Sequence, residues 1–456
     1  MSFELRLNPV TRCLLSLLSA GLAIFAFPPF GIWQLVLVAW IPLFFAIRGL
    51  SARAAFYVGL LQGFGLYAVT LSWMWLLFGP TAIALWLILS LFVALACSLM
   101  AGLNLRKVSG VLLGASAWVG CEFFRSEIYA LHFPWMTPGV GMKPSYLDSI
   151  VGVYGVSFLI ILSALLILGK GRMKLIGVGV VIAVFGATFI QRGIPQNAVI
   201  NVLAMQNEHA HHIEKLKFTK EEMAKSEEQF DVILWPEISV EGLVLERESV
   251  RERVDTFSNE HEGIFIFGSY VTANETEKYN TALTMQKGEV LGMHFKNRPV
   301  PLFNDGKKGT EAKAIDTPIG RIGTPICFDC DHESVIRRMV ADGAELILVP
   351  SLDAISWTER QHLQHAELFR HRAAENHRWI AVAATSGMTQ IIDPTGNRVQ
   401  NIPLMEPGFM KGSVGLVTGR TFYNQYGWLI GWICMGVTVF VLVRALVLGI
   451  INKFKS

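Results

Sequence analysis

The chain has 456 residues, 52% of them hydrophobic and only 16% charged, with a formal net charge of +3. An average soluble domain carries about 25% charged residues, so the composition excludes a wholly soluble chain. No basic run is interleaved with aromatics, so no nucleic-acid partner is expected.

The charge deficit is local. No charged residue occurs from Cys13 to Ile47, Ala54 to Leu105, Val108 to Cys121, Ser149 to Gly169, Leu175 to Ile190 or Trp428 to Val443. A helical span needs roughly 20 mostly apolar residues. The first two stretches hold two spans each, broken at "FPPFG" (27–31) and at "GP" (79–80). Eight spans are therefore predicted, at about 12–27, 32–48, 54–78, 81–104, 108–125, 148–169, 173–191 and 427–447. The first lacks a small-residue cleavage site and is followed at once by another span, so it is expected to be retained.

Lys and Arg mark the cytoplasmic side. They occur as Arg6 and Arg12, Arg48 and Arg53, Arg106 and Lys107, Lys170, Arg172 and Lys174, and Lys453 and Lys455, while the loops at 27–31 and 79–80 carry none. Arg125 and Lys143 depart from the pattern. Both termini are thus expected in the cytoplasm. Glu122, near the end of the fifth span and close to Arg125, reads as an ion-paired residue near the outer interface. The predicted organisation is a seven-span membrane domain (1–192), an extracytoplasmic domain (193–426), and a last span with a cytoplasmic tail (427–456).

The outer region is long enough for a sizeable core. Only two of the six cysteines, Cys327 and Cys330, lie in it, so no disulfide framework is expected. Strand-length apolar runs alternate with helical stretches: strands at 201–206, 231–237, 263–271, 320–327, 344–351, 379–386 and 388–397, and helices at 214–229, 246–261, 333–342 and 358–377. Residues 279–296 read as a hairpin turning at Lys287-Gly288. This alternation predicts an α/β domain. Three of its strands end at a polar residue of chemical interest: Glu237, Lys296 and Cys327.

Each of the three has two readings. Cys327 in "GRIGTPICFDCDHES" (320–334) is a small buried thiol or a nucleophile on a strand-to-helix turn. With Cys330 it forms a CxxC pair that suits a metal clip or a redox couple. Further zinc ligands would have to come from His332 or from "RQHLQHAELFRHRAAENH" (360–377), which reads as a solvated helical face; no metal is expected. Glu237 after "VILWP" is an exposed turn residue or a general base. Lys296 in "MHFKNRPVPLFND" is a solvated lysine or an oxyanion stabiliser.

The ordered set "WPE", then Lys before a "VP" loop, then "ICFD" resembles the Glu-Lys-Cys triad of the nitrilase (carbon–nitrogen hydrolase) superfamily. "FPPFGIWQLVLVAWIPLF" (27–44), Glu122 with "FFRS" and "FPW" (133–135), "GVYGVSF" (152–158), "RHRAAENHR" (370–378) and "IDPTGN" (392–397) resemble the bacterial apolipoprotein N-acyltransferases within it. The resemblance covers nearly the whole chain. It implies an α-β-β-α sandwich on a polytopic membrane domain of the bacterial inner membrane, with Glu237, Lys296 and Cys327 as catalytic residues. It further implies a phospholipid acyl donor, a diacylglyceryl apolipoprotein acceptor, a Cys thioester, no cofactor and a monomer in the bilayer.

The chain also departs from that family. Where a Pro-Phe-Gly-Glu run is usual it reads "PLFND", with Asn304 at the Glu place and Asp305 beside it. Phe328 and Asp329 stand for the usual Tyr-Glu after the Cys, "SLDAISW" (351–357) stands for an Asn-Asp-Ala-Trp-Phe type run, and no Trp occurs between 201 and 234. Asp329, Asp305 and Glu375 are expected to orient Lys296 or tune Glu237, with Phe328, Asn304 and Trp235 as further residues around the site. The loop 297–313 and the pieces at 351–357 are expected to be lids. Rival readings are a membrane-tethered amidase that uses water, a transporter, and a catalytically idle binder of lipid or lipoprotein.

Overall fold

A computed structural model describes residues 7–190 and 193–455, with 449–455 as backbone alone. The chain divides into two compact units, the described parts of Met1–Ile190 with Tyr426–Ser456 and of Gln191–Gln425.

Four helices of the first unit are long and apolar enough to cross a bilayer: Pro9–Ala26, Thr81–Ala101, Asp148–Ile167 and the C-terminal one over Tyr423–Leu448. The other predicted spans are shorter or broken. Residues 33–46 form three pieces, Trp33–Leu35, Val36–Ala39 and Ile41–Ala46. Pro42 explains the break, since its ring clashes with the carbonyl four residues back and it has no N–H to donate. The predicted span at 54–78 divides into Ala52–Thr70 and Met74–Phe78, and Gly79 at φ +54° ends it. Val108–Phe123 and Arg172–Ala187 have 16 residues each. Gly59 and Gly63, one turn apart, let Ala52–Thr70 lie against Thr81–Ala101; a Cβ on either would come within 2.9 Å of Cys97 or Ser90. The charges of Glu122 and Arg125 act on one another, as expected, but their hydrogen bonds go to other partners. Glu122 accepts from Trp118 Nε1 at 2.6 Å, while Arg125 donates to the Tyr67 hydroxyl and to the Trp135 carbonyl.

The second unit holds two six-stranded sheets. In the first, β1 (Val199–Gln206), β2 (Val232–Leu234) and β3 (Ile264–Thr272) run parallel. β4 (Lys278–Gln286) and β5 (Glu289–Phe295) continue from β3 as an antiparallel meander. Lys287 at φ +49° and Gly288 at φ +76° make the β4–β5 turn, the pair of positive values a type I′ hairpin requires. In the second sheet, β6 (Ile315–Thr317) pairs antiparallel with β7 (Gly320–Gly323), and β7, β8 (Leu346–Ser351) and β9 (Ile380–Ala384) are parallel. β10 (Gln390–Ile392) and β11 (Arg398–Asn401) extend it. β12 (Gly408–Gly415) crosses back to pair antiparallel with β1.

Apolar side chains of both sheets meet in one layer, among them Ile200, Val202, Leu234, Ile266, Ile322, Leu348 and Ala383. Because side chains alternate along a strand, Ile233, Trp235, Phe265 and Phe267 face the other way and pack with Leu216, Val250, Val254 and Phe257 of the helices His212–Ala224 and Glu248–Asn259. On the far side of the second sheet, Ile347, Val349, Ile380 and Val382 pack with Ile336 and Met339 of Glu333–Ala341 and with Phe369 and Ala373 of Thr358–Asn376. The unit is thus an α-β-β-α sandwich. β2, β5, β7 and β8 end at one place, and the chemistry collects there.

Candidate active site

Glu237 follows β2 after Trp235 and Pro236. Its backbone N–H reaches the Ser351 carbonyl at 3.4 Å. The next residue, Ile238, sits at φ +51°, a strained position for a β-branched side chain. Gly268 of β3 lies directly beneath: a Cβ there would be 2.4 Å from the Ile238 nitrogen and 2.6 Å from Glu237 Cα. Gly268→Ala is therefore expected to displace the carboxylate and cut any activity of this site at least tenfold, read as initial rate per folded molecule.

Lys296 caps β5, its N–H bonded to the Asn280 carbonyl at 2.8 Å. Its ammonium donates to Glu237 Oε1 at 2.8 Å and meets Asp305 Oδ2 at 2.7 Å. Asn280 closes the ring, its Nδ2 bonding Glu237 Oε1 at 2.6 Å and Asp305 Oδ1 at 2.7 Å. All are buried or nearly so. Burial works against the ammonium, yet the charges of Glu237 and Asp305 hold its pKa well above the usual lysine value. Burial pushes Glu237 up, and Asp305 adds to the shift against the opposing pull of Lys296. Among the described residues, the buried Glu237 Oε2 has no hydrogen-bond partner. One carboxylate oxygen is thus occupied and the other is free to take a proton.

Cys327 opens a one-turn 3-10 helix, Cys327–Asp331, at φ +47°. Such a turn presents a nucleophile at a strand end. Its thiol donates to the Leu352 carbonyl at 3.5 Å. Burial raises its pKa well above the ordinary value and the Glu237 charge raises it further, while Lys296 opposes both. Burial therefore favours the neutral thiol, and a sulfur so held would need a base in order to act as a nucleophile.

Asp329 ties the lysine strand to the cysteine turn. Oδ1 accepts from the backbone N–H of Asn297 at 2.9 Å and of Arg298 at 2.7 Å; Oδ2 accepts from the Ile326 N–H at 3.1 Å and meets His294 Nε2 at 2.9 Å. Burial favours its neutral form, but the His294 hydrogen bond and charge win and hold it below the usual carboxylate value. A depressed carboxyl adds stability above its unfolded pKa, about 4, and loses it as pH falls. Asp329→Ala should cost about 1–3 kcal/mol for each buried donor left unmet. The gap to the parent should be full at pH 7 and shrink below about pH 4, as thermal melts in detergent at each pH will show.

Other expected site residues lie elsewhere. Asn304 is exposed, and Asp305 instead reaches Lys296. Trp235 bonds Thr219 at 3.1 Å and packs on Phe265 in the helix-facing core; the residue before Pro236 points away from the site. Glu375 pairs with Arg372 at 2.9 Å, beside Tyr423, while Glu237 and Asp305 are the carboxylates on Lys296. Phe328 is buried with its ring edge-on to His332. Cys330 lies in the apolar layer under the helices, so the two sulfurs of the CxxC serve different environments.

The helix Thr358–Asn376 is not a solvated face. His362, His365, His371, Arg372 and Glu375 are all buried. His365 Nδ1 meets Asp353 Oδ1 at 2.8 Å and Nε2 meets Asp331 Oδ1 at 3.1 Å. Burial alone would lower the imidazole; Asp353 and Asp331 raise it to about 10. Asp353 falls to about 2, since His365 outweighs burial. The sequence reading also missed Asn280 and Tyr270, which face each other across β3 and β4. Burial, with Asp305 and Glu237 adding, lifts the Tyr270 hydroxyl to about 12, and the Lys278 ammonium lies 3.3 Å from its ring centroid. Strand alternation from either polar neighbour is the signal that would have found them.

His211, His212 and Glu241 bring one ligand atom each within 4.8 Å. The positive end of the helix His212–Ala224 and the buried Lys215 ammonium lie beside them, which disfavours a cation. His212 instead meets Glu241 at 2.8 Å.

Residues 194–421 match the carbon-nitrogen hydrolase family model. The chain belongs to the carbon-nitrogen hydrolase family. Ahead of that domain, residues 19–166 match the apolipoprotein N-acyltransferase N-terminal domain, and this carbon-nitrogen hydrolase groups with the apolipoprotein N-acyltransferases. It is 26% identical to an apolipoprotein N-acyltransferase of Geobacter metallireducens, over 92% of this chain and 93% of that one. It is 26% identical to one of Pseudomonas paraeruginosa, over 91% and 92%. Among solved structures, the carbon-nitrogen hydrolase of Helicobacter pylori G27 matches with a TM-score of 0.43 at 13% identity, over 52% of this chain and 93% of that one.

Proposed function

We propose that the chain is an apolipoprotein N-acyltransferase that moves an acyl group from a membrane phospholipid, through a thioester on Cys327, to the α-amine of a lipoprotein's N-terminal diacylglyceryl-cysteine. The observation that carries the site assignment is the unoccupied Glu237 Oε2, next to a Glu237–Lys296 pair whose charges act on the Cys327 thiol.

In the first half-reaction Glu237 takes the Sγ proton as sulfur attacks the donor ester carbonyl. Lys296 and a backbone N–H of the Cys327 turn meet the oxyanion. The C–O bond breaks, Glu237 returns the proton to the leaving oxygen, and lysophospholipid departs. In the second half-reaction the acceptor amine attacks the thioester and gives a proton to Glu237. The C–S bond breaks, the proton returns to sulfur and an amide remains. Nothing is oxidised or reduced and no cofactor enters.

Both substrates are lipids, which suits a chain with apolar membrane helices. We place both termini in the cytoplasm and the hydrolase domain, 193–426, outside the bacterial inner membrane. Eight crossings would comprise the four long helices, Ala52–Thr70, Val108–Phe123, Arg172–Ala187 and the broken 33–46 segment, in a monomer. Leu302, Phe303 and Ile355 are exposed, and the Phe303 ring lies 5.6 Å from that of Trp357. The two loops that would cover the site are thus apolar and touch each other, as lids against lipid should be.

The test is intact mass of the purified protein after incubation with phospholipid vesicles, then with a diacylglyceryl lipopeptide. The expected result is one acyl mass on the peptide bearing Cys327, discharged to the lipopeptide. Release of free fatty acid or ammonia, with no mass gained by the lipopeptide, would instead favour an amidase that uses water.

A further inference from the structure

The mechanism above leaves unused a buried cluster of charged groups near Cys327. His365 lies in the helix Thr358–Asn376 and reaches two carboxylates, Asp331 and Asp353, with all three side chains at most 4% exposed. Asp331 is the last residue of the turn that Cys327 begins. Asp353 adjoins Leu352, whose carbonyl accepts the Cys327 thiol at 3.5 Å. The two ends of that thiol contact are therefore cross-linked through one imidazole.

We propose that His365 is a positioning residue for Cys327: by bridging Asp331 and Asp353 it fixes the cysteine turn against the Leu352 carbonyl and so sets the direction in which sulfur faces Glu237 and Lys296. This rests on the reading of Cys327 as the nucleophile.

The surroundings allow Asp353 little freedom. Its Oδ1 also accepts from Gln361 at 3.0 Å, and its Oδ2 from Ser351 at 3.4 Å. Its backbone N–H and carbonyl are both bonded to Thr385 Oγ1 at 3.0 Å. Gly387 packs so closely that a Cβ would lie 2.4 Å from Asp353 Oδ2. The bridge needs the charged imidazole: Nδ1 hydrogen-bonds Asp353, while Asp331 is held at 3.1 Å by its charge, which only a protonated ring can attract. The two flanking acids keep the proton on at neutral pH. Apolar contacts would hold the layers together as well. A charged ring hydrogen-bonded to one carboxylate and ion-paired with the other adds fixed distances, which a near-attack geometry requires.

Single-turnover acylation by phospholipid vesicles separates placement from folding. Amplitude reports the competent fraction, and the rate constant reports sulfur placement. His365→Asn is expected to lower the rate constant for acyl-Cys327 formation at least tenfold, with the donor concentration at half-maximal rate within twofold of the parent. Asp331→Asn, which removes one arm only, should give a smaller fall of the same kind and serves if His365→Asn does not fold. A variant whose amplitude drops while its rate constant stays within twofold of the parent would show a merely structural ring and overturn the proposal. A parent protein that forms no acyl-Cys327 would overturn the reading beneath it.

Discussion

Cys327→Ala is expected to remove acyl-enzyme formation entirely, and Cys327→Ser to leave at most a trace, a loss of about 10⁴-fold or more in turnover, as for removal of other covalent nucleophiles. The serine case is the sharper one. A hydroxyl is a far weaker acid than a thiol, and Glu237 has only its free Oε2 with which to take the proton. Intact mass should show the acyl adduct on the parent and on neither variant, while lipopeptide mass gives the overall rate. Folding is not expected to confound this. The backbone at 327 is left-handed, φ +47°, and alanine tolerates it no worse than cysteine. Cys327→Gly should even melt higher than Cys327→Ala, by about 1 kcal/mol in stability, because glycine relieves the strain. Either variant acylating lipopeptide at the parental rate would remove the thioester from the mechanism.

Lys296→Met should be costly in two separable ways. It deletes the cation between Glu237 and Asp305, 2.8 and 2.7 Å away, and leaves two buried carboxyls with only Asn280 between them. Breaking a buried pair this way costs about 3–5 kcal/mol. The acyl-transfer rate should fall about 10²–10³-fold through the lost oxyanion contact alone. Adding Asp305→Leu to Lys296→Met should restore part of the melting temperature, since one uncompensated acid is gone. It should restore none of the rate. A double variant that recovered activity along with stability would make Lys296 a structural cation only.

Period and strand length made the α/β character of the domain legible in the sequence, while its two-sheet sandwich was implied only by the family resemblance. The hairpin at 287–288, the helix near 333–342 and the strand end at Lys296 lie where alternation places them, whereas the strand before Glu237 already ends at Leu234. The strands Ile315–Thr317, Arg398–Asn401 and Gly408–Gly415 were missed because they carry few consecutive apolar residues and take their stability from neighbours. The spans at 32–48 and 54–78 were read as longer than the helices are, because hydropathy counts apolar residues without seeing Pro42 or the turn at 71–73 end a helix. Trp235 and Glu375 were misplaced for one reason: nearness in sequence to a motif does not say which face of a strand or helix a side chain takes. His365 was hidden differently. A helix rich in His, Arg and Glu looks wet, and only the positions of Asp331 and Asp353, far off in the chain, make it dry.

Asp305 belongs to the same short loop as the exposed Leu302 and Phe303. The segment that would greet an arriving fatty chain is thereby the one that supplies the lysine's second counter-charge. Swinging it aside would withdraw that carboxylate from the ammonium, and settling back would restore it. If that loop is the lid, admission and reactivity would be coupled through Asp305, and a gaping pocket would be a poorly armed one.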